Sequence, residues 1–420
     1  MSGIQTTESI DHLFRHHAGQ MVSTLCRLFG FEMLDDVEDA VQDSLVAALR
    51  KWSYTGIPEN PRAWLTAVAK NRLLDKIRRD RWISGESDDI LGQLSDDAAL
   101  EPVYFSGEMQ DDQLRMMFAC CHPLNPPDAQ VALTLKIVGG FSVPEIARAF
   151  LAKPESIAKM LTRAKQRLRT DGVQFEIPQP GELSPRLEAV MKVLYLMFNE
   201  GYTASEGTEL IREDLCHEAI RLCEFLATHP VTAVPSVNAL AALFLFQAAR
   251  FPTRAGDHGN LILLSDQDRS KWDRRYLSRG LEHLRRSARG DKLTEYHLEA
   301  EIASCHALAA NYEATDWPRI LACYDELQCR KFSPIVEINR IVAVEKVCGA
   351  EAALNELRRI SEDPRLLDYS FFHVASAHLS EEIGLNHAAA ASLRTALGLT
   401  ENEYVRRFLS QKIEVIESIQ

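Results

Sequence analysis

The stretch that most restricts the fold of this chain runs from Leu135 to Arg169, LKIVGGFSVPEIARAFLAKPESIAKMLTRAKQRLR. Two prolines, Pro144 and Pro154, each head a run of apolar residues at helical spacing. Proline suits the first helical position, because its missing N–H has no helical acceptor there. Ile146, Ala147 and Phe150 follow Pro144, and Leu151, Ala152 and Lys153 form a turn. In the second helix Ile157, Leu161, Ala164 and Leu168 share one stripe, while Ser156, Lys159, Arg163 and Arg167 share the opposite face. Lys153 to Arg169 holds six basic residues and one acidic residue, Glu155. A short helix, a tight turn and a basic second helix make a helix-turn-helix arrangement, with the second helix suited to the major groove. The plainer reading is a helical hairpin with a solvated basic face.

The concentration of positive charge is local. The whole chain of 420 residues carries a net charge of −13, so any attraction to nucleic acid must come from patches. Its length suits two or three domains, each with its own core. Nine scattered cysteines without a C-x-x-C spacing read as reduced, cytoplasmic usage. The N-terminal residues lack the apolar run of a signal peptide, and Ala239–Phe251 is too short to span a bilayer.

Residues 8–29 read as an amphipathic helix on Ile10, Leu13, Phe14, Ala18, Met21, Val22 and Leu25. His12 and His16 have metal-pair spacing, but with no third ligand nearby they read as a solvated face. Leu34 to Trp52 forms a second helix with Val37, Val41, Leu45, Ala48 and Leu49 as its buried stripe. Asp39, Gln42 and Asp43 share another face, either a docking shelf for a basic partner or plain solvated surface. A loop over Ser53–Asn60 precedes a third helix, capped by Asn60 with Pro61 at its first position. That helix carries Lys70, Arg72, Lys76, Arg78, Arg79 and Arg81, a second positive patch. Contacts to phosphate need such charge.

The succession EDAVQDSLVAAL, PRAWLTAVAKNRLLDKIRR and the helix-turn-helix with its trailing RAKQRLR resembles the extracytoplasmic-function (ECF) class of bacterial sigma factors, over residues 8–170. The resemblance implies an all-α fold with two small sigma domains. These are region two (1–85) and region four with the helix-turn-helix (113–172). It implies no catalytic residue, cofactor or metal, a cytoplasmic location, and bacterial core RNA polymerase and promoter DNA as partners. Asp39, Gln42 and Asp43 then match the face that docks on polymerase. Lys70, Asn71, Arg72, Lys76, Arg78 and Arg79 match the −10 reader. Ser156, Lys159, Arg163 and Arg167 lie on the helix that matches the −35 reader. The loop Ser53–Asn60 matches the capture site of a flipped −10 base, where Trp52 and Tyr54 offer ring faces, although core packing is the favoured role for Trp52. One departure is that Lys153-Pro154 stands where the recognition helix usually has a Ser or Thr cap.

Glu86 to Asp112 holds nine acidic residues and no basic one. It reads as a linker, either plainly solvated or mimicking nucleic acid in the RNA path of the polymerase. Cys120, Cys121 and His122 read as helix packing rather than zinc ligation.

A proline- and glycine-rich linker at 173–185 introduces a helical C-terminal extension, 186–420. VNALAALFLFQAARF is apolar all round and therefore buried. Gly349 and Gly384 align two similar segments at an offset of 35 residues, with Ala353 on Ala388, close to the tetratricopeptide period. The whole chain resembles the sigma-factor subgroup with a tetratricopeptide-like extension, which implies regulation by that extension through an unknown protein or small-molecule ligand. Two polar clusters, FNEGY (Asn199, Glu200, Tyr202) and DQDRS (Asp266, Asp268, Arg269), read as buried hydrogen-bonded structure ahead of a ligand site or inter-domain latch. The competing function is a stand-alone helix-turn-helix regulator that binds DNA without polymerase. An enzyme in the second half would need a nucleophile–base pair or metal cluster, and the extension holds no Gly-rich phosphate loop, H-E-x-x-H or G-x-S-x-G.

Overall fold

A computed structural model describes residues 17–84, 106–150, 152–202, 211–254, 262–330, 333–361, 364–367, 369–400 and 403–418. His12, His16, Leu151 and the acidic residues from Glu86 to Glu101 lie outside them. Every regular element among the described residues is helical. The chain divides into two compact units, Met1–Val193 and Leu194–Gln420.

In the first unit, α1 (17–29) buries Ala18, Met21, Val22, Leu25 and Cys26. Helix α2 (Leu34–Thr55) packs against α3 (Pro61–Ser84). The buried stripe of α2 is Leu34, Val37, Val41, Ser44, Ala48 and Trp52. The expected stripe included Leu45 and Leu49, but Leu45 is half-buried and Leu49 is 39% exposed. At 3.6 residues per turn those two positions drift to the flank of a line set by Val37, Val41 and Ser44. The helix also continues to Thr55, so the loop is shorter than Ser53–Asn60. Asn60 caps α3 as expected, its side-chain oxygen accepting from the Ala63 N–H at 3.0 Å.

Helix α4 (Ser106–Cys120) begins inside the expected linker. Asp112, expected in that linker, is fully buried and pairs with Arg27 at 2.9 Å and Arg115 at 2.7 Å. Cys120 and Cys121 are buried at the end of α4, and burial raises both thiols, Cys121 to about 12. After α5 (Pro127–Leu133), the π-helical segment Thr134–Val138 lies against α1, where a side-chain carbon on Gly19 would fall 2.1 Å from the Val138 carbonyl oxygen. Helices α6 (Val143–Ala149) and α7 (Pro154–Thr170) follow. The chain then enters α8 (Pro180–Tyr202), whose first six residues fall within the linker expected at 173–185. Pro180 and Gly181 sit in its first turn, where backbone N–H groups lack helical partners and neither residue costs much.

In the second unit, α10 (Pro235–Ala248) is buried on nearly every face by α9 (Glu213–Thr228), α12 (Arg274–Ser287) and α13 (Glu295–Leu308). A short helix α11 (Phe251–Arg254) and two single turns, Leu264–Asp266 and Arg269–Lys271, follow α10. Asp273 caps α12 by accepting from Arg275 and Tyr276 N–H groups.

From α13 onward, successive helices pack on their chain neighbours: α14 (Trp317–Arg330), α15 (Pro334–Cys348), α16 (Ala350–Ile360), α17 (Pro364–Leu367), α18 (Ser370–Glu382), α19 (Asn386–Gly398) and α20 (Glu403–Ser418). Gly349 (φ +90°) and Gly384 (φ +78°) each separate two helices, with a backbone that L side chains rarely adopt. The two glycines correspond, but the cores that follow them do not keep the same register. Ala388 is exposed, and Ala389 is the buried counterpart of Ala353. Leu385 adds one residue before α19, so Ala353, Leu354 and Leu357 match Ala389, Ala390 and Leu393 at an offset of 36.

Candidate nucleic-acid interface

Helix α7 is held by α5 and α6 through Ile157, Leu161, Ala164 and Leu168, all buried. Its partner α6 starts in a capping box. Ser142 N–H and Oγ–H donate to the Glu145 carboxylate, and the Glu145 N–H donates back to Ser142 Oγ. No side chain caps α7, where Lys153 stands at the cap position. Ser156, Lys159, Arg163 and Arg167 are exposed on one face, and none of the three cations has an ion pair among the described residues.

The remaining cations of α7 behave differently. Lys165 bonds Asp35 at 2.9 Å and also Glu38, and Arg169 bonds Asp35, so α7 is tied to the first turns of α2. Burial works against the charged form of each partner, but the bonds outweigh it: Asp35 is lowered by Lys165 and Arg169, and Lys165 is raised by Glu38 and Asp35. Beside this contact the Phe31 and Phe175 rings stack at 5.9 Å. Asp35, Glu38, Lys165 and Arg169 were not picked out as a set from sequence. Their only signal is that α7 has more cations than one face can hold.

On α2, Asp39, Gln42 and Asp43 are exposed together, flanked by the exposed apolar side chains Val46 and Leu49. Asp43 is paired with Arg72 of α3, and Asp36 with Lys76. The acidic and basic sets expected on α2 and α3 therefore touch at Asp43 and Arg72. Asn71, Arg72, Arg78 and Arg79 are exposed and Lys76 is half-buried. Lys70 departs from expectation: it is 6% exposed and does not join that face. It falls one turn from Thr66 and beside Leu73 and Leu74, so its side chain follows the core edge of α3. Of the loop aromatics, Trp52 is buried against Trp64 at 5.3 Å, whereas Tyr54 is 91% exposed.

Residues 13–83 match the model of sigma-70 region 2, and residues 186–288 match a family of unknown function, DUF6596. An uncharacterized protein of Rhizobium meliloti (strain 1021), R00370, is 36% identical over 386 residues, covering 91% of this chain and 90% of that one. The chain belongs to one family with that uncharacterized protein, and within it residues 13–83 are similar to sigma-70 region 2. Helices α1, α2 and almost all of α3 fall within the region 2 match, which supports a role in promoter recognition and transcription initiation. The basic helix α7 lies between the two matched segments. No solved structure matches the chain. No helix among the described residues is long and apolar enough to cross a membrane.

Proposed function

We propose that this protein is a sigma factor of the ECF class, with a tetratricopeptide-like extension that sets its activity. Asp39, Gln42 and Asp43, with Val46 and Leu49 beside them, dock on core RNA polymerase. Asn71, Arg72, Lys76, Arg78 and Arg79 act at the −10 element, with Tyr54 as a stacking platform for an unpaired base. Helices α6 and α7 form the helix-turn-helix, and Ser156, Lys159, Arg163 and Arg167 read the −35 element.

The observation that carries this reading is the row Ser156, Lys159, Arg163 and Arg167. It is exposed, lacks ion pairs among the described residues, and stands in the same compact unit as a sigma-70 region 2. The reading also requires movement. The −10 and −35 elements lie about 25 base pairs apart, roughly 80 Å along B-DNA, whereas α7 touches α2 directly. The Lys165–Asp35 contact must open when polymerase separates the two DNA-reading helices. The two pairs to the exposed Asp35 are worth about 0–1 kcal/mol each, and the more buried Lys165–Glu38 pair must open with them.

In vitro transcription with purified bacterial core enzyme is the test. Initiation should depend on the protein and on Arg163. A full-length protein that directs core enzyme to no promoter overturns the proposal.

A further inference from the structure

In the second unit, two cationic side chains, Arg250 and Arg269, lie over the Trp272 ring. The guanidinium carbons of Arg269 and Arg250 lie 5.0 and 5.8 Å from its ring centre. Arg250 donates to Gln267 at 3.1 Å and to Gln247 at 3.2 Å. Gln247 also accepts from the Tyr202 hydroxyl at 2.7 Å, and Arg254 lies 3.8 Å over the Tyr202 ring. Arg254 donates to the Tyr202 carbonyl; Arg269 donates to the carbonyls of His306 and Ala309 and to the Thr315 hydroxyl. The FNEGY and DQDRS clusters are thus joined through Tyr202, Gln247, Arg250, Gln267 and Trp272.

Three half-buried cations gather here without a paired counter-charge among the described residues. Among the described residues, Arg250, Arg254 and Arg269 enter no ion pair. Carbonyl and amide oxygens orient a guanidinium without cancelling its charge, and an uncompensated buried charge is costly. Burial and the field of Arg250 lower both Arg254 and Arg269, which stay cationic; Glu313 pulls Arg269 the other way without forming an ion pair. Two further groups lack partners. The Trp272 indole N–H is buried with no acceptor, and His306 Nδ1 is buried with no hydrogen bond. Among the described residues the cluster is short of acceptor atoms and of negative charge together.

A phosphate monoester supplies both, with about −1.5 to −2 charge at neutral pH and three acceptor oxygens. Guanidinium forks match its geometry. A monocarboxylate brings a single charge.

We propose that the Arg250, Arg254, Arg269 and Trp272 cluster is a binding site for a phosphate-bearing small molecule. All four residues lie in the segment that matches the family of unknown function. The site belongs to the second unit alone, and its binding can be measured without polymerase, so the inference stands apart from the sigma-factor reading.

The test is calorimetric titration of the full-length protein with inorganic phosphate and pyrophosphate, at ionic strength held constant with potassium chloride, and with succinate as a dicarboxylate arm. Saturable heat with phosphate or pyrophosphate is expected, with a rise in Tm as the bound state is favoured. Arg250→Gln and Arg269→Gln should each weaken binding at least tenfold while helical circular dichroism is retained. If those variants fail to fold, Arg250→Lys decides, since it keeps the charge and loses the fork: weaker binding supports the site, and unchanged binding overturns it. The inference also fails if there is no saturable response above chloride, if succinate binds as tightly as pyrophosphate, or if both folded Gln variants bind as the wild type does.

Discussion

The Lys165 ammonium donates to the Asp35 carboxylate across 2.9 Å, joining two helices whose contact residues stand 130 positions apart in the chain. Asp35 also accepts from Arg169. Asp35→Lys removes both bonds and adds repulsion. Ion pairs of this exposure contribute about 0.2–1 kcal/mol each, so the equilibrium between joined and separated helices should shift about tenfold. Small-angle scattering should report a larger radius of gyration, and transcription with core enzyme should rise; unchanged values for both would contradict a closed resting state. The pH dependence has a defined sign. The depressed Asp35 contributes stability above the unfolded carboxylate value of about 3.9, lost as pH falls through its folded value. The raised Lys165 contributes below about 10.4, lost as pH rises through its folded value. The contact should therefore persist across the neutral range and open at both extremes.

Arg163→Ala and Lys159→Ala remove exposed cations from α7 without touching its buried stripe. Each should lower −35-dependent transcription by about tenfold, with folding and polymerase binding unaffected. A residue that contacts phosphate should also reduce the salt slope of promoter binding by about one. Equal transcription from a promoter with its −35 element intact would show that this face does not read DNA.

Asp43→Arg should impair capture of core polymerase in a pull-down by an order of magnitude or more, through charge reversal on an exposed shelf. Because Asp43 also pairs with Arg72, Gln42→Arg is the companion variant, altering the same face without breaking an ion pair. Retained capture by both would place the docking surface elsewhere.

His306 is pushed down to about 4 by burial and by Arg250 and Arg269. Its unfolded value is about 6.5, so the native state takes up its proton later than the unfolded chain does. The stability of the second unit is fully present above pH 6.5 and declines as pH falls toward 4. Between pH 7 and pH 5 the loss should be about 2 kcal/mol. Urea unfolding of wild type and His306→Asn at both pH values checks this, since the variant should lack that increment.

Local periodicity was enough to read α7. Ile157, Leu161, Ala164 and Leu168 are all buried, because a 3.6-residue repeat next to α6 settles which side faces in. Lys165 and Arg169 looked like more of the same solvent-facing charge, since their acidic partners are far away in sequence. Lys70 is buried for the related reason that a long aliphatic stem can line a core while its charge suggests solvent. Pro180 and Gly181 look like linker residues, yet both are tolerated where a helix begins. The repeat glycines were legible from composition, but not the extra Leu385, which moves the following core by one position. The cluster around Trp272 was half visible, in DQDRS and FNEGY; Arg250 and Arg254, at the end of an apolar run, carried no motif to mark them.

Helix α10 has no face of its own to show water: α9 precedes it, and α12 and α13 close over it from later in the chain. A shortened protein ending between Ala248 and Leu308 would leave a greasy rod uncovered and should precipitate or be degraded. Deletion studies of this extension must therefore cut well ahead of that helix or beyond Leu308, and an inactive product from a cut in between would report on solubility rather than on control of transcription.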